Sequence, residues 1–186
     1  MDFLEALKEI FLVIWILLPP YTANGLAVLV GGGTPIDFGR NFIDGKRIFG
    51  DGKTWRGLFF ASLLASICLL VQSLIEHIKP IGPYYDVGFL NAVIMGFSFG
   101  FFALLGDLFE SFIKRRLNLP RGYNVPVADQ LDFVISFIFF SYIFYRGWSL
   151  LWLTPTRVLL AYLITPPLHL GTNYLAYVLG KKEVPW

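Results

Sequence analysis

Long uncharged stretches separated by short, charge-rich ones divide this chain. Residues 58–75 and 87–105 contain no Asp, Glu, Lys or Arg, and at ~1.5 Å per helical residue each crosses most of a ~30 Å hydrocarbon core. A third apolar segment, residues 3–30, predicts a first helix that Pro19-Pro20 kinks without ending it, because proline removes backbone donors and crowds the preceding turn. Residues 150–179 predict a last helix, also bent, with Pro155 near its start and Pro166-Pro167 inside. Residues 133–145 are too short to span, whereas a helix begun at Val127 reaches nineteen residues and roughly the required thickness. That extension puts Asp129 and Asp132 in its first turns, spaced i, i+3 on one face near the electropositive N-terminus. The pattern predicts an all-α polytopic membrane protein of about five transmembrane helices, folded as a single domain over residues 1–186.

Composition agrees: 56% hydrophobic and 18% aromatic residues cannot be hidden inside a soluble domain of 186 residues. Five crossings put the termini on opposite sides, and basic residues choose the orientation. Arg40, Lys46, Arg47, Lys53, Arg56, Lys114, Arg115, Arg116, Arg121, Lys181 and Lys182 fall on one side, against Lys8, Lys79, Arg146 and Arg157 on the other. The N-terminus is therefore expected outside and the C-terminus in the cytoplasm. Residues 31–56 and 107–125 then form two cytoplasmic loops around a polar cleft. The N-terminal stretch lacks a basic n-region and continues into a long apolar run, so it reads as a retained helix rather than a cleavable signal. A single cysteine, Cys68, excludes an intramolecular disulfide. The net charge of +2 is too small to suggest a nucleic-acid partner.

The bases are concentrated locally and mixed with acids. The first loop reads Asp44-Gly45-Lys46-Arg47-Ile48-Phe49-Gly50-Asp51-Gly52-Lys53-Thr54-Trp55-Arg56-Gly57. A P-loop would need glycine where Arg47 stands and a strand-to-helix context, so the NTPase fold is rejected. The local chemistry survives: Gly50 and Gly52 allow backbone N–H groups near phosphate oxygens, and Lys53, Thr54 and Arg56 flank a helix N-terminus. Asp44 and Arg47 belong to the same candidate binding loop. In the second loop, Asp107, Ser111 and Lys114 fall at i, i+4 and i+7 of a helix continuing past Leu105, with Arg115 beside them. Asp107, Asp129 and Asp132 offer hard oxygen ligands suited to Mg2+, which favours carboxylates, water and substrate phosphate. Charged groups near the bilayer persist mainly where they bind ions or do chemistry. A purely structural ion-pair cluster is the alternative. Asn24, in the cytoplasmic half of the first helix, is a weaker candidate for the cleft. His77 is expected at the far interface. His169 forms a polar patch with Thr165, Thr172 and Asn173, read as interhelical hydrogen bonding.

Gly106-Asp107-Leu108, Ser111, Lys114-Arg115 and Asp129-x-x-Asp132 resemble the signature of the phosphatidate cytidylyltransferases of the CDP-diacylglycerol synthase type. That signature usually has Pro-Gly-His-Gly-Gly before its Asp pair and Arg after the first Asp. This chain has Asn124-Val125-Pro126-Val127-Ala128 and Gln130. The first-loop motifs, on so short a chain with five expected spans, resemble the archaeal CDP-archaeol synthases over nearly the whole length. The resemblance implies an Mg2+-dependent enzyme of the cell membrane, its active site facing the cytoplasm. It would transfer CMP from CTP to an anionic isoprenoid ether lipid phosphate, 2,3-di-O-geranylgeranylglyceryl phosphate, with release of pyrophosphate. Asp107, Asp129 and Asp132 would hold the metal, and Arg47, Lys53, Lys114 and Arg115 would clamp phosphate oxygens.

Two other readings compete. A CDP-alcohol phosphotransferase needs a longer Asp-Gly-x-x-Ala-Arg signature with a paired Gly-x-x-x-Asp-x-x-x-Asp, and neither is present. A non-enzymatic transporter or ion-binding membrane protein would line a pathway with the acids. Against that, the charges gather on one side and no internal repeat is apparent.

Overall fold

The computed structural model describes residues 2–120, 122–178 and 180. Arg121, Lys181 and Lys182, which enter the charge asymmetry, lie outside them, as does Leu179. Among the described residues six helices follow in order: α1 (Phe3–Val30), α2 (Trp55–Ile78), α3 (Phe89–Arg116), α4 (Ala128–Phe144), α5 (Arg146–Trp152) and α6 (Pro155–Val178). Of these, α1, α2 and α3 are each long and apolar enough to cross a bilayer.

The first helix starts where a capping box fixes it. Asp2 accepts from the Glu5 N–H at 2.7 Å, and the Glu5 carboxylate accepts from the Asp2 N–H at 3.1 Å, satisfying donors that a helix start leaves without partners. Pro19 and Pro20 are both buried within the helix, which continues through them. In α2, Thr54 is the N-cap and accepts from the Gly57 N–H at 3.1 Å. As expected, α3 carries on past Leu105, through the acids and bases to Arg116.

The C-terminal region departs from the single bent helix expected over residues 150–179. It divides at Leu153-Thr154, leaving the short α5 and a separate α6 whose first residue is Pro155. Proline has no N–H to lose at a first helical position but breaks the ladder further in, so Pro155 opens a helix here instead of bending one. Inside α6, Pro166 and Pro167 leave the helix continuous. The seventeen residues of α4 rise about 26 Å.

Small residues let the first three helices approach. A side chain at Gly96 would meet the backbone of Ala65 and Ser66, and one at Gly100 would meet Ala65, Ser62 and Ala23. This is small-residue packing of the kind that replaces the hydrophobic effect in a bilayer, where lipid is as apolar as the partner helix. Aromatic residues fill the centre: Phe99 meets Phe137 edge-on at 4.9 Å and Trp148 at 5.0 Å. Two polar contacts fasten α6 to α1. Tyr21 and Thr165 share a hydrogen bond of 2.8 Å, and Arg157 grips Glu9 with both carboxylate oxygens at 2.7 and 3.0 Å. Thus Thr165 makes the expected interhelical bond, while Asn173 and His169 meet within α6 at 3.2 Å.

Candidate functional site

Both stretches singled out for chemistry meet at one end of the bundle. The first loop leaves α1 at Gly31 and returns to α2 at Thr54, its two ends pinned by Ile36 N–H to Lys53 O at 2.8 Å and Trp55 N–H to Thr34 O at 3.2 Å. Its interior is organised by Asp37, an acid absent from the sequence-based candidates. The Asp37 side chain is fully buried and accepts from the N–H groups of Gly39, Phe49 and Gly50 at 2.9–3.0 Å, and from Arg47 at 2.8 Å. Burial opposes its ionisation, but the Arg47 guanidinium and those three N–H groups outweigh burial and hold the carboxyl well below the usual carboxylate range. Arg47 also pairs with Asp51 at 2.7 Å. Asp37 and Asp51 in turn strengthen its hold on the proton. Gly50 turns the chain at φ +100°, a conformation that favours glycine. Gly52 is exposed in the following turn.

The next residue, Lys53, reaches α3 and pairs with Asp107 at 2.5 Å. One turn along α3, Glu110 joins it. Carboxylate oxygens of Asp107, Glu110 and Asp132 all lie within 4.8 Å of one another. Asp132 comes from α4, brought in by a glycine. At Gly106 a Cβ would run into the Asp132 backbone carbonyl, so this position of α3 has to be side-chain-free for the two acid-bearing backbones to lie this close. Lys114, two turns beyond Asp107, sits between Glu110 at 2.5 Å and Asp129 at 2.7 Å, and also donates to the Tyr123 carbonyl at 2.8 Å.

The sequence candidates therefore separate. Asp107 and Asp132 stand in one acid group with Glu110, which the motif reading passed over, although its i+3 spacing from Asp107 and i−4 spacing from Lys114 were visible. Asp129 stands across Lys114, with one oxygen bonded to Lys114 and the Val125 N–H and the other buried without a hydrogen-bond partner. Val127, just before α4, holds φ +70°, a strained value for a β-branched residue. In the wider cytidylyltransferase signature a glycine falls at this place. Ser111 is buried on α3. Arg115 turns to its own loop, donating to the Pro120 carbonyl at 3.2 Å. Asp44 pairs with Arg116 at 3.0 Å, and the Thr54 hydroxyl serves as the cap already described. Arg56 is exposed and, with Leu29, Val30 and Phe60, lines a cavity of about 340 Å³. Asn24 is half-buried in α1 beside Ala23, which packs with Ala61, Ala65 and Leu104.

Acids outnumber bases at this site. Among the described residues four acidic side chains (Asp107, Glu110, Asp129, Asp132) meet two ammonium groups (Lys53, Lys114). Converging carboxyl groups repel one another when ionised, and a bound cation relieves that repulsion. The donors are all carboxylate oxygens, and one buried Asp129 oxygen lacks a partner, which fits a hard cation such as Mg2+.

An all-α bundle with helices of membrane-spanning length that gathers acids and lysines at one end has the architecture of an intramembrane protein with a charged candidate site. A sequence model of the CDP-archaeol synthases matches residues 6–186. Curated CDP-archaeol synthases are similar over nearly their full length. That of Archaeoglobus fulgidus is 45% identical over 180 residues, 97% of this chain and 99% of the relative. That of Thermococcus gammatolerans is 45% identical over 181 residues, again 97% and 99%. That of Methanosarcina mazei is 41% identical over 176 residues, covering 91% of this chain and all of the relative. A solved structure described as an intramembrane enzyme for archaeal membrane lipids biosynthesis superposes with a TM-score of 0.68 at 30% identity, covering 92% of this chain and 94% of the other. The chain belongs to the CDP-archaeol synthase family, and its activity is that family's cytidylyl transfer in archaeal membrane lipid biosynthesis. The transporter reading gives way to an enzyme.

Proposed function

We propose that the chain transfers CMP from CTP to 2,3-di-O-geranylgeranylglyceryl phosphate at the acid group of α3 and α4, with Mg2+ bound by Asp107, Glu110 and Asp132 and with Asp129 alongside. The observation that carries this reading is the convergence of those acids with Lys53 and Lys114 in a member of this family. A lipid phosphate oxygen attacks the α-phosphorus of CTP, the bond from that phosphorus to the bridging oxygen breaks, and pyrophosphate leaves. Both reactants are anions, so neutralising charge is the main task of the site. Bound magnesium supplies part of that neutralisation at the reacting phosphates.

The chain's own residues do the rest. Lys53 and Lys114 rest on carboxylates before substrate arrives and move onto phosphate oxygens when it does, which keeps both cations beside the reacting groups. No side chain has to remove a proton, because a phosphate monoester is largely doubly ionised at neutral pH, with a second pKa near ~6. Arg56 meets the lipid phosphate where the cavity formed with Leu29, Val30 and Phe60 opens beside the first loop. Five helices cross the bilayer in this reading (α1, α2, α3, α4 and α6), with the N-terminus outside and the acid group facing the cytoplasm, where CTP is made.

The test is pyrophosphate release by the purified protein in detergent with CTP, Mg2+ and a geranylgeranyl ether lipid phosphate, against ATP, GTP, no-lipid and no-metal controls. Release that needs CTP, lipid and metal together is expected. Release that persists after chelation removes the metal assignment, and equal turnover of an acyl ester phosphatidate removes the ether-lipid preference.

A further inference from the structure

The last turn of α3 carries a cation that lies outside the acid group. Arg116 faces the first loop instead of the acid group. Its Nη2 donates to the carbonyls of Lys46 and Arg47 at 3.2 and 2.5 Å, and its Nε pairs with Asp44 at 3.0 Å. The guanidinium lies over the rings of Phe42 and Phe112, 5.0 and 4.7 Å from their centroids, and those rings meet edge-on at 5.2 Å. In return Lys46 Nζ donates to the Arg116 carbonyl at 2.7 Å, one of the carbonyls that a helix end leaves without an internal partner.

The loop that Arg116 holds is cross-linked by its own hydrogen bonds. Around Asp37, Arg47 and the N–H groups of Phe49 and Gly50 are tied together. From Gly50 a further turn, with Lys53 N–H on Gly50 O at 3.3 Å, leads to the lysine on Asp107. A loop cross-linked in this way and pinned at the 42–47 edge fixes the position of Lys53 at its other edge. Arginine suits the pin because its Nη2 bonds two carbonyls and the charged group pairs with Asp44 while its planar guanidinium lies on two aromatic rings, a planar face that lysine lacks.

We propose that Arg116 is a positioning residue that latches the first loop to α3 and thereby sets the affinity of the site for the triphosphate. This deepens the reading of the site given above and rests on it. Arg116 does not touch the reacting groups; it acts through Lys53. Loss of the latch frees the loop and its Lys53 while the acids stay where α3 and α4 carry them, so it weakens CTP binding more than it slows transfer.

Two independent readouts test this. Amide hydrogen exchange over residues 37–53, followed without CTP or lipid, is expected to speed by about tenfold or more in Arg116→Ala, while the amides of α1, α2 and α3 keep their protection. In turnover, KM for CTP is expected to rise by about tenfold with kcat changed less than about threefold. Arg116→Lys should recover only part of either effect. Should Arg116→Ala lose protection throughout the bundle, Phe42→Leu, which removes one exposed stacking ring, carries the same test with a smaller expected change. Unchanged exchange in the loop, full recovery by lysine, or a fall in kcat at constant KM would overturn the latch. A wild-type protein that turns over no lipid phosphate would instead count against the proposed reaction, and the exchange experiment would still decide the latch.

Discussion

The two ends of the bundle treat acidic side chains differently. Near the C-terminal end of α2, Glu76 is almost wholly enclosed and accepts from Trp15 Nε1 at 2.5 Å and the Tyr84 N–H at 2.7 Å. Its neighbours close the network: Gln72 donates to the Trp15 carbonyl, Ser73 to the Tyr84 carbonyl, and the Tyr84 hydroxyl to the Ile16 carbonyl. Together these bonds tie α2, α1 and the loop after α2 to one another. At the other end, Asp107, Glu110, Asp129 and Asp132 share only two lysines, and an Asp129 oxygen is left over. A closed network fixes one structure, because each buried polar group already has a partner and gains nothing from a ligand. An open one with more acids than bases has capacity to spare for a cation, and a bound cation can in turn hold phosphate. Burial of an acid is thus not itself a pointer to a ligand site; acids crowded together with bonding capacity left over are the better pointer.

Substitutions at the two places should separate accordingly. The largest effect is expected for Asp107→Asn, which removes a charge from the open group: turnover should fall by about a thousandfold with the thermal midpoint in detergent little changed. Activity within a few-fold of wild type would place the metal elsewhere. Next comes Glu110→Gln, expected to weaken activation by Mg2+ by about ten- to a hundredfold, read as a rightward shift of the magnesium titration at saturating CTP. An unmoved titration would return the third ligand position to Asp129. At the closed network, Glu76→Ala leaves the Trp15 and Tyr84 N–H groups unpartnered, and a loss of about 2–4 kcal/mol of stability is expected, with kcat at temperatures below the transition unaltered. A kcat that falls while stability holds would break the comparison.

The smallest expectation concerns pH. Asp37 is held ionised below the normal range, so its contribution to the loop is fully present above the unfolded carboxylate value of about 3.9 and is lost only as pH falls through the lower folded value. Protection of residues 37–50, corrected for intrinsic exchange, should therefore be flat from neutral pH down to about pH 5. A midpoint inside that interval would mean that the Arg47 clamp is weaker than its geometry indicates.

Reading the chain as a sequence located the helices through simple physics. The bounds of α1 coincide with the expected 3–30, and Asp107, Ser111 and Lys114 lie on the continuous α3 that their spacing required. Uncharged runs of bilayer length and i, i+4 spacing are local properties, so they can be read without knowing any neighbour. The split at Thr154 was less legible because a proline near a helix end can open, bend or stop it, and packing decides which. Proline spacing does not report that choice.

What the sequence determined by itself was an all-α membrane protein with a charged end, its kinship to the cytidylyltransferases, and the pairing of Asp107 with Asp132 as candidate ligands. Only the tertiary structure decided that Glu110 completes the acid group and that Arg47 is clamped by Asp37. It alone sets Lys53 on Asp107 and Arg116 against the loop. Spacing along one helix fixes which residues share a face, whereas the side-chain-free surface at Gly106 and the fold of the loop around Asp37 fix which faces meet, and that depends on contacts between residues far apart in the chain.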